Sequence, residues 1–220
     1  LLRLTPTYML VLGITQLSSA WFDKTSQFDI YEKSHETCAK YWWRNLLYIN
    51  NLFSADDMCM IWSWYLANDM QFYIITMTLL VLSTMYFYTA VMILGGLLMG
   101  SIIFSGYISN IYEYVLTIDP VDGLSDVFYN PPWMRIIPYI IGIIAGYVLA
   151  KFNNNLILKR KIVILCWCIF CFMTTCNVFV SFVLYHKRSV LFTAIYVALH
   201  RLFWAIGMAW IVIACCTKHG

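Results

Sequence analysis

Between Phe72 and Tyr112 the chain carries no charged residue, and its apolar positions follow one another without the two-residue alternation of a half-buried strand. Similar apolar blocks recur on either side, each approaching the roughly 20 residues that a helix needs to cross a bilayer. The pattern predicts spans over 4–21, 72–90, 92–112, 136–150, 162–185 and 191–216. Lipid offers a backbone no hydrogen-bond partner, so blocks of this kind form helices. The expected fold class is all-α, a polytopic helical membrane protein with about six transmembrane helices. Gly95-Gly96 is read as the tight turn between the second and third spans, and the fourth span is short. Gly96-Leu-Leu-Met-Gly100 and Gly142-Ile-Ile-Ala-Gly146 have the spacing that lets two membrane helices approach closely; the alternative is glycine simply tolerated in lipid.

Composition agrees with the pattern, since 62% hydrophobic and 11% charged residues exclude an ordinary soluble domain. Charge adds an orientation. Lys151, Lys159, Arg160 and Lys161 form a basic loop over 151–161, which places that loop, and with it Arg3, on the cytoplasmic side. The segments 22–71 and 113–134 then lie outside, and together they hold all 11 acidic residues. One short loop, His186-Lys187-Arg188, runs against this assignment. The net charge of +3 is explained by one loop rather than a basic patch, so the expected partner is the lipid bilayer and not nucleic acid.

The exoplasmic loop 22–71 begins polar and turns aromatic at Tyr41-Trp42-Trp43, Trp62 and Trp64-Tyr65, rings that favour the headgroup level. It shows no core of its own. Cys38 and Cys59 flank the aromatic stretch in an oxidising compartment and are predicted to form a disulfide, which stabilises such a loop by roughly 3 kcal/mol. Cys166, Cys168, Cys171 and Cys176 fall on different helix faces within an apolar span, which points to packing rather than a metal site. No signal peptide is legible, and a chain opening at Leu1 without methionine is expected to be a piece of a longer protein.

Five stretches carry a resemblance: LRLTPTYMLVLG (2–13), CAKYWWRNLLYINN (38–51), CMIWSWYLANDMQFYII (59–75), PPWMRIIPYIIG (131–142) and HRLFWAIGMAWIVIAC (200–215). In this order they resemble the nose resistant to fluoxetine family of animal membrane proteins, within the larger acyltransferase 3 superfamily. The resemblance implies that 1–220 is part of a multi-pass acyltransferase domain. Such a domain moves an acyl group from a cytoplasmic donor, acyl-CoA, to a hydroxyl acceptor in or across the membrane, with no bound cofactor and no metal. It also implies a catalytic histidine on an earlier helix, to which no residue here corresponds. An arginine pair at the cytoplasmic start of the Thr-Pro-Thr-Tyr span is implied as well, with Arg3 as its second member.

Acyl transfer requires a base for the attacking hydroxyl, donors for the developing oxyanion, and groups that bind the donor. The catalytic candidates are Asp69, Arg201 and His200; the substrate-binding candidates are Arg3, Tyr8, Trp64, Asn68, Gln71, Arg135 and Tyr139. Arg3 suits donor phosphates or simply anchors the span. Asn68 and Asp69 either contact the acceptor or cap the helix that follows. Arg201 lies roughly 16 Å into the last span, a depth at which ionisable groups face a cavity or a partner. His200 is a substitute base or a structural histidine. Arg135 pairs with an outer acid such as Asp69 or snorkels to the interface. No Gly-x-Ser-x-Gly elbow, phosphate-cradling glycine loop or His with an acid five residues on is present. Two function classes stay open: a membrane acyltransferase, and a non-catalytic lipid or small-molecule transporter on the same fold.

Overall fold

The computed structural model describes residues 4–26, 34–113, 127–152, 159–187 and 189–217. Among these residues there is helix and turn and no strand. The elements are α1 (Thr5–Thr25), α2 (Ser34–Leu46), three single-turn 3-10 helices between Asn50 and Ser63, α3 (Trp64–Met85), α4 (Phe87–Ile111), α5 (Pro132–Lys151), α6 (Arg160–Lys187) and α7 (Val190–Cys216). Five of them, α3 to α7, are long and apolar enough to cross a membrane, and the protein is an integral membrane protein. The expected first span is a helix but does not join that set. Thr15, Gln16, Ser18, Ser19, Asp23 and Lys24 make α1 too polar, and it packs against α2 instead.

The chain divides into two compact units, Leu1–Ile75 with Val121–Pro132, and Thr76–Pro120 with Trp133–Gly220. In the first, the segment expected to lack a core builds one together with α1. Tyr8, Leu12, Cys38, Tyr48, Cys59, Met60, Ala67 and Met70 form a buried cluster, and the predicted Cys38–Cys59 disulfide is present inside it. The aromatic residues divide in two ways. Trp42, Trp43, Trp62 and Tyr65 are exposed, whereas Tyr41 and Phe53 sandwich the Arg44 guanidinium at 3.8 Å on each side. Arg44 also lies 3.7 Å from Asp57, which ties α2 to the 3-10 turns after it.

The second unit is held by small residues, though not by the glycine pairs singled out from spacing. A methyl group added at Gly96, Gly100, Gly142 or Gly146 would meet nothing within 4 Å. The close approach is made elsewhere on α4. Ser101, Ser105 and Ser109 recur every fourth residue and are all buried, and a Cβ at Gly106 would stand 3.3 Å from Ala198 Cβ and 3.7 Å from the Ala194 carbonyl of α7. With buried Thr193, Ala194, Val197 and Ala198 opposite, the two helices meet along side chains of one to three heavy atoms. Gly207 does the same for α6: a Cβ there would stand 3.0 Å from the Phe170 ring.

Two boundaries move. The break between the second and third spans falls at Tyr86 (φ −134°, ψ 74°), and Gly95-Gly96 continue α4 without interruption. Glycine is well tolerated in apolar helices, where the helical hydrogen bonds have no competitor. The fourth span is not short: α5 begins at Pro132, where a missing N–H costs nothing, and takes in Arg135. Of the span cysteines expected to pack, Cys168 and Cys171 are exposed instead.

Replacing Gly106 by Leu forces a branched chain into the α4–α7 contact and is expected to cost about 1–3 kcal/mol, read as a lowered Tm in detergent micelles. Gly142→Leu, which points into open space, is expected to leave Tm unchanged.

Candidate functional site

In the first unit the polar side chains of the loop and of α3 are paired with one another. Asn45 Nδ2 donates to Tyr8 Oη (2.7 Å) and Ser63 Oγ (3.1 Å). Asn50 Nδ2 also donates to Ser63 Oγ (2.8 Å), which in turn donates to the Met60 carbonyl (2.6 Å). A second cluster joins Asn51 Nδ2 to Asn68 Oδ1 (2.8 Å), Asn68 Nδ2 to the Asn130 carbonyl (3.0 Å), and Gln71 Nε2 to the Tyr48 carbonyl and Asn51 Oδ1 (2.8 Å each). The two clusters meet where Tyr8 stacks on Tyr48, ring centroids 5.5 Å apart. Tyr8, Asn68 and Gln71 thus lie in two adjoining bonded clusters, and neither Asn68 nor Asp69 caps a helix. α3 starts at Trp64, so both lie inside its second turn.

Tyr48 takes a left-handed conformation, φ 56°, that costs a non-glycine residue about 1 kcal/mol or more. It closes α2 in a Schellman arrangement, with Tyr48 N–H bonded to the Asn45 carbonyl and Ile49 N–H to that of Arg44. The stack on Tyr8 and the 3.0 Å bond between its hydroxyl and Thr5 Oγ1 offset the strain. Beside this node a cavity of about 250 Å³ is lined by Thr7, Tyr8, Met60, Trp62, Ser63 and Tyr65 among others. Among the described residues the side-chain carbonyls of Asn45 and Asn50 are buried without a donor, so the node is rich in acceptors. Trp64 packs edge-on against Tyr129, 4.8 Å between centroids. Asp69 is half-buried on α3, and Arg3 lies outside the described residues.

In the second unit Arg201 has a partner that the chain itself makes available. Pro138 lies inside α5 and has no N–H, so the carbonyl four residues before it, Met134, lacks its helical donor. Arg201 Nη1 donates to that carbonyl. Met134 is fully buried, and Ser101 of α4 donates to the adjacent Trp133 carbonyl (2.5 Å), so the first turn of α5 is fixed from two helices. Arg135 and Tyr139 are half-buried on the same helix.

His200 is fixed more tightly still. Its Nδ1 lies 3.1 Å from the Tyr196 carbonyl and 3.0 Å from that of Val197. Carbonyl oxygens only accept, so Nδ1 carries the hydrogen and the neutral ring holds its lone pair on Nε2. The ring stacks on Tyr196 at 5.0 Å. It lines a cavity of about 270 Å³ between α6 and α7, with Met173, Cys176, Leu199 and Phe203. Two other polar groups there are committed: Asn177 Nδ2 donates to the His200 carbonyl (2.9 Å) and Tyr196 Oη to the Asn177 carbonyl (3.1 Å). Sequence reasoning named His200 but missed Asn45, Asn50, Asn51, Ser63 and Asn177. Their signal was present as amides and hydroxyls in otherwise apolar surroundings, whose partners only the fold reveals.

The chain is 32% identical over 244 aligned positions to Nose resistant to fluoxetine protein 6 of Caenorhabditis elegans, an alignment that takes in the whole of this chain. It spans 29% of that relative's length. No family model matches the chain, and no solved structure does.

Removing the Arg201 side chain leaves a buried carbonyl without a donor, so Arg201→Ala is expected to destabilise by about 1–3 kcal/mol. In a Pro138→Ala background residue 138 regains its N–H, and the larger part of that loss is expected to disappear. A double-mutant cycle on thermal unfolding measures the difference; equal losses in both backgrounds contradict the assignment.

Proposed function

The chain belongs to the nose resistant to fluoxetine family, and from that premise we propose that it forms part of a membrane-embedded acyltransferase of the acyltransferase 3 type. The donor is an acyl thioester such as acyl-CoA, and the acceptor is a hydroxyl. The observation that carries this reading is the orientation of His200: Nδ1–H is held by two backbone carbonyls, which leaves the Nε2 lone pair as a base on a ring that lines an apolar cavity. That is the arrangement a general base requires, with one nitrogen anchored and the other offered to the substrate.

The chemistry balances without a cofactor. The acceptor oxygen attacks the thioester carbonyl carbon as its proton passes to His200 Nε2. The tetrahedral intermediate then collapses, the carbon–sulfur bond breaks, and the proton returns to the leaving thiolate. The products are an ester and a free thiol. Arg201 sits one residue away in sequence, and its bond to the Met134 carbonyl fixes α7 against α5. It acts on the site by positioning. Asp69, Asn68 and Gln71 belong to the other compact unit, where Asn68 and Gln71 bond Asn51 of the loop.

The test is reconstitution of the intact protein in liposomes with radiolabelled acyl-CoA. Label is expected in an ester product, and His200→Ala is expected to lower transfer by about 10²–10⁴-fold with unchanged folding. Movement of a lipid across the bilayer with no ester formed at all would favour the transporter on the same fold.

A further inference from the structure

We infer that the cavity between α6 and α7 receives a neutral lipid bearing a single hydroxyl, which enters sideways from the bilayer and presents that hydroxyl to His200. The inference rests on the acyltransferase reading only for the use made of the hydroxyl; the binding site stands on the cavity itself.

Three observations carry it. The first is depth. His200 lies ten residues into α7, within a helix long and apolar enough to span a bilayer. A charged or heavily hydrated acceptor is excluded at that depth by its desolvation cost. The second is access. Val180, Phe192 and Ile195 line the cavity and are themselves exposed, on two helices that are both long and apolar enough to span the bilayer. The opening is therefore bordered by apolar side chains of two helices able to span the bilayer. The third is chemistry. The lining is apolar apart from Asn177, Tyr196, His200 and the Cys176 thiol, and the Asn177 amide and Tyr196 hydroxyl donate to backbone carbonyls. Nε2 of His200 accepts one hydrogen bond. A long-chain or acylglycerol alcohol supplies one O–H and an apolar body, and a fatty-acid anion supplies neither the donor nor a neutral head.

The intact protein in liposomes, irradiated with a diazirine-bearing long-chain alcohol, tests the site directly. Crosslinks are expected on the peptides carrying residues 173–180 and 192–203, at about tenfold lower yield with the O-methyl ether of the same probe, which has lost its donor. Ile195→Trp, at an exposed position on the rim, is expected to block labelling without disturbing the fold. His200→Phe is expected to abolish the preference for alcohol over ether. Equal labelling by alcohol and ether, or labelling spread evenly over all five apolar helices, overturns the site. Adding acyl-CoA separates the two proposals. Pocket labelling with no ester formed refutes acyl transfer and keeps the lipid site, whereas transfer only to a water-soluble hydroxyl, with no pocket labelling, refutes the lipid site and keeps the enzyme.

Discussion

A proline inside a membrane helix leaves one carbonyl without a donor, and in hydrocarbon that carbonyl must find another. Here Pro138 deprives Met134 and Arg201 makes good the loss. Two features that are each unfavourable in lipid, a helix-breaking residue and a deeply placed guanidinium, become acceptable together. The pairing also fixes a geometry. It draws the start of α5 to the middle of α7, next to the residue whose imidazole lines the cavity, while Ser101 secures the same turn from α4. Gly106 against Ala194 and Ala198 lets the backbones of α4 and α7 approach, so the guanidinium acts within a framework already set by small side chains.

The first unit solves a different problem. It has few residues with which to build an apolar core, and it uses amides, hydroxyls and a disulfide instead. Each donor of Asn45, Asn51, Asn68 and Gln71 meets a buried acceptor, which specifies one arrangement of the loop where greasy packing would allow several. The strained backbone at Tyr48 belongs to the same design. A glycine would relax the turn but would supply neither the ring that stacks on Tyr8 nor the hydroxyl bonded to Thr5.

Five spans were legible because hydropathy accumulates over twenty residues and a few exceptions do not cancel it. Local punctuation was less reliable. Gly95-Gly96 reads as a turn by the habits of soluble proteins, yet the chain breaks at Tyr86, since glycine loses much of its helix-breaking effect where water cannot compete for the backbone. The glycine pairs resolve to the second of their two readings, glycine tolerated in an apolar helix: spacing shows that two helices can approach, not that a second helix is there. The productive spacing, serine at 101, 105 and 109, was equally visible and passed unnoticed. Of the site, Arg201 stood out by its depth, His200 as its titratable neighbour, and Cys38 and Cys59 by their compartment. Asn45, Asn50, Asn51 and Ser63 did not, because an isolated amide in a sequence shows no partner. The match of Met134 to Arg201 across 67 residues could not be guessed at all.

The disulfide carries one more implication, for the order of biosynthesis. Both half-cystines precede Ile61, where the first of the five apolar helices begins. Translation from the N-terminal side delivers the whole covalent ring before the last three of those helices, α5 to α7, have been made. Oxidation can therefore lock this part of the first unit early, while those later helices are still to be inserted.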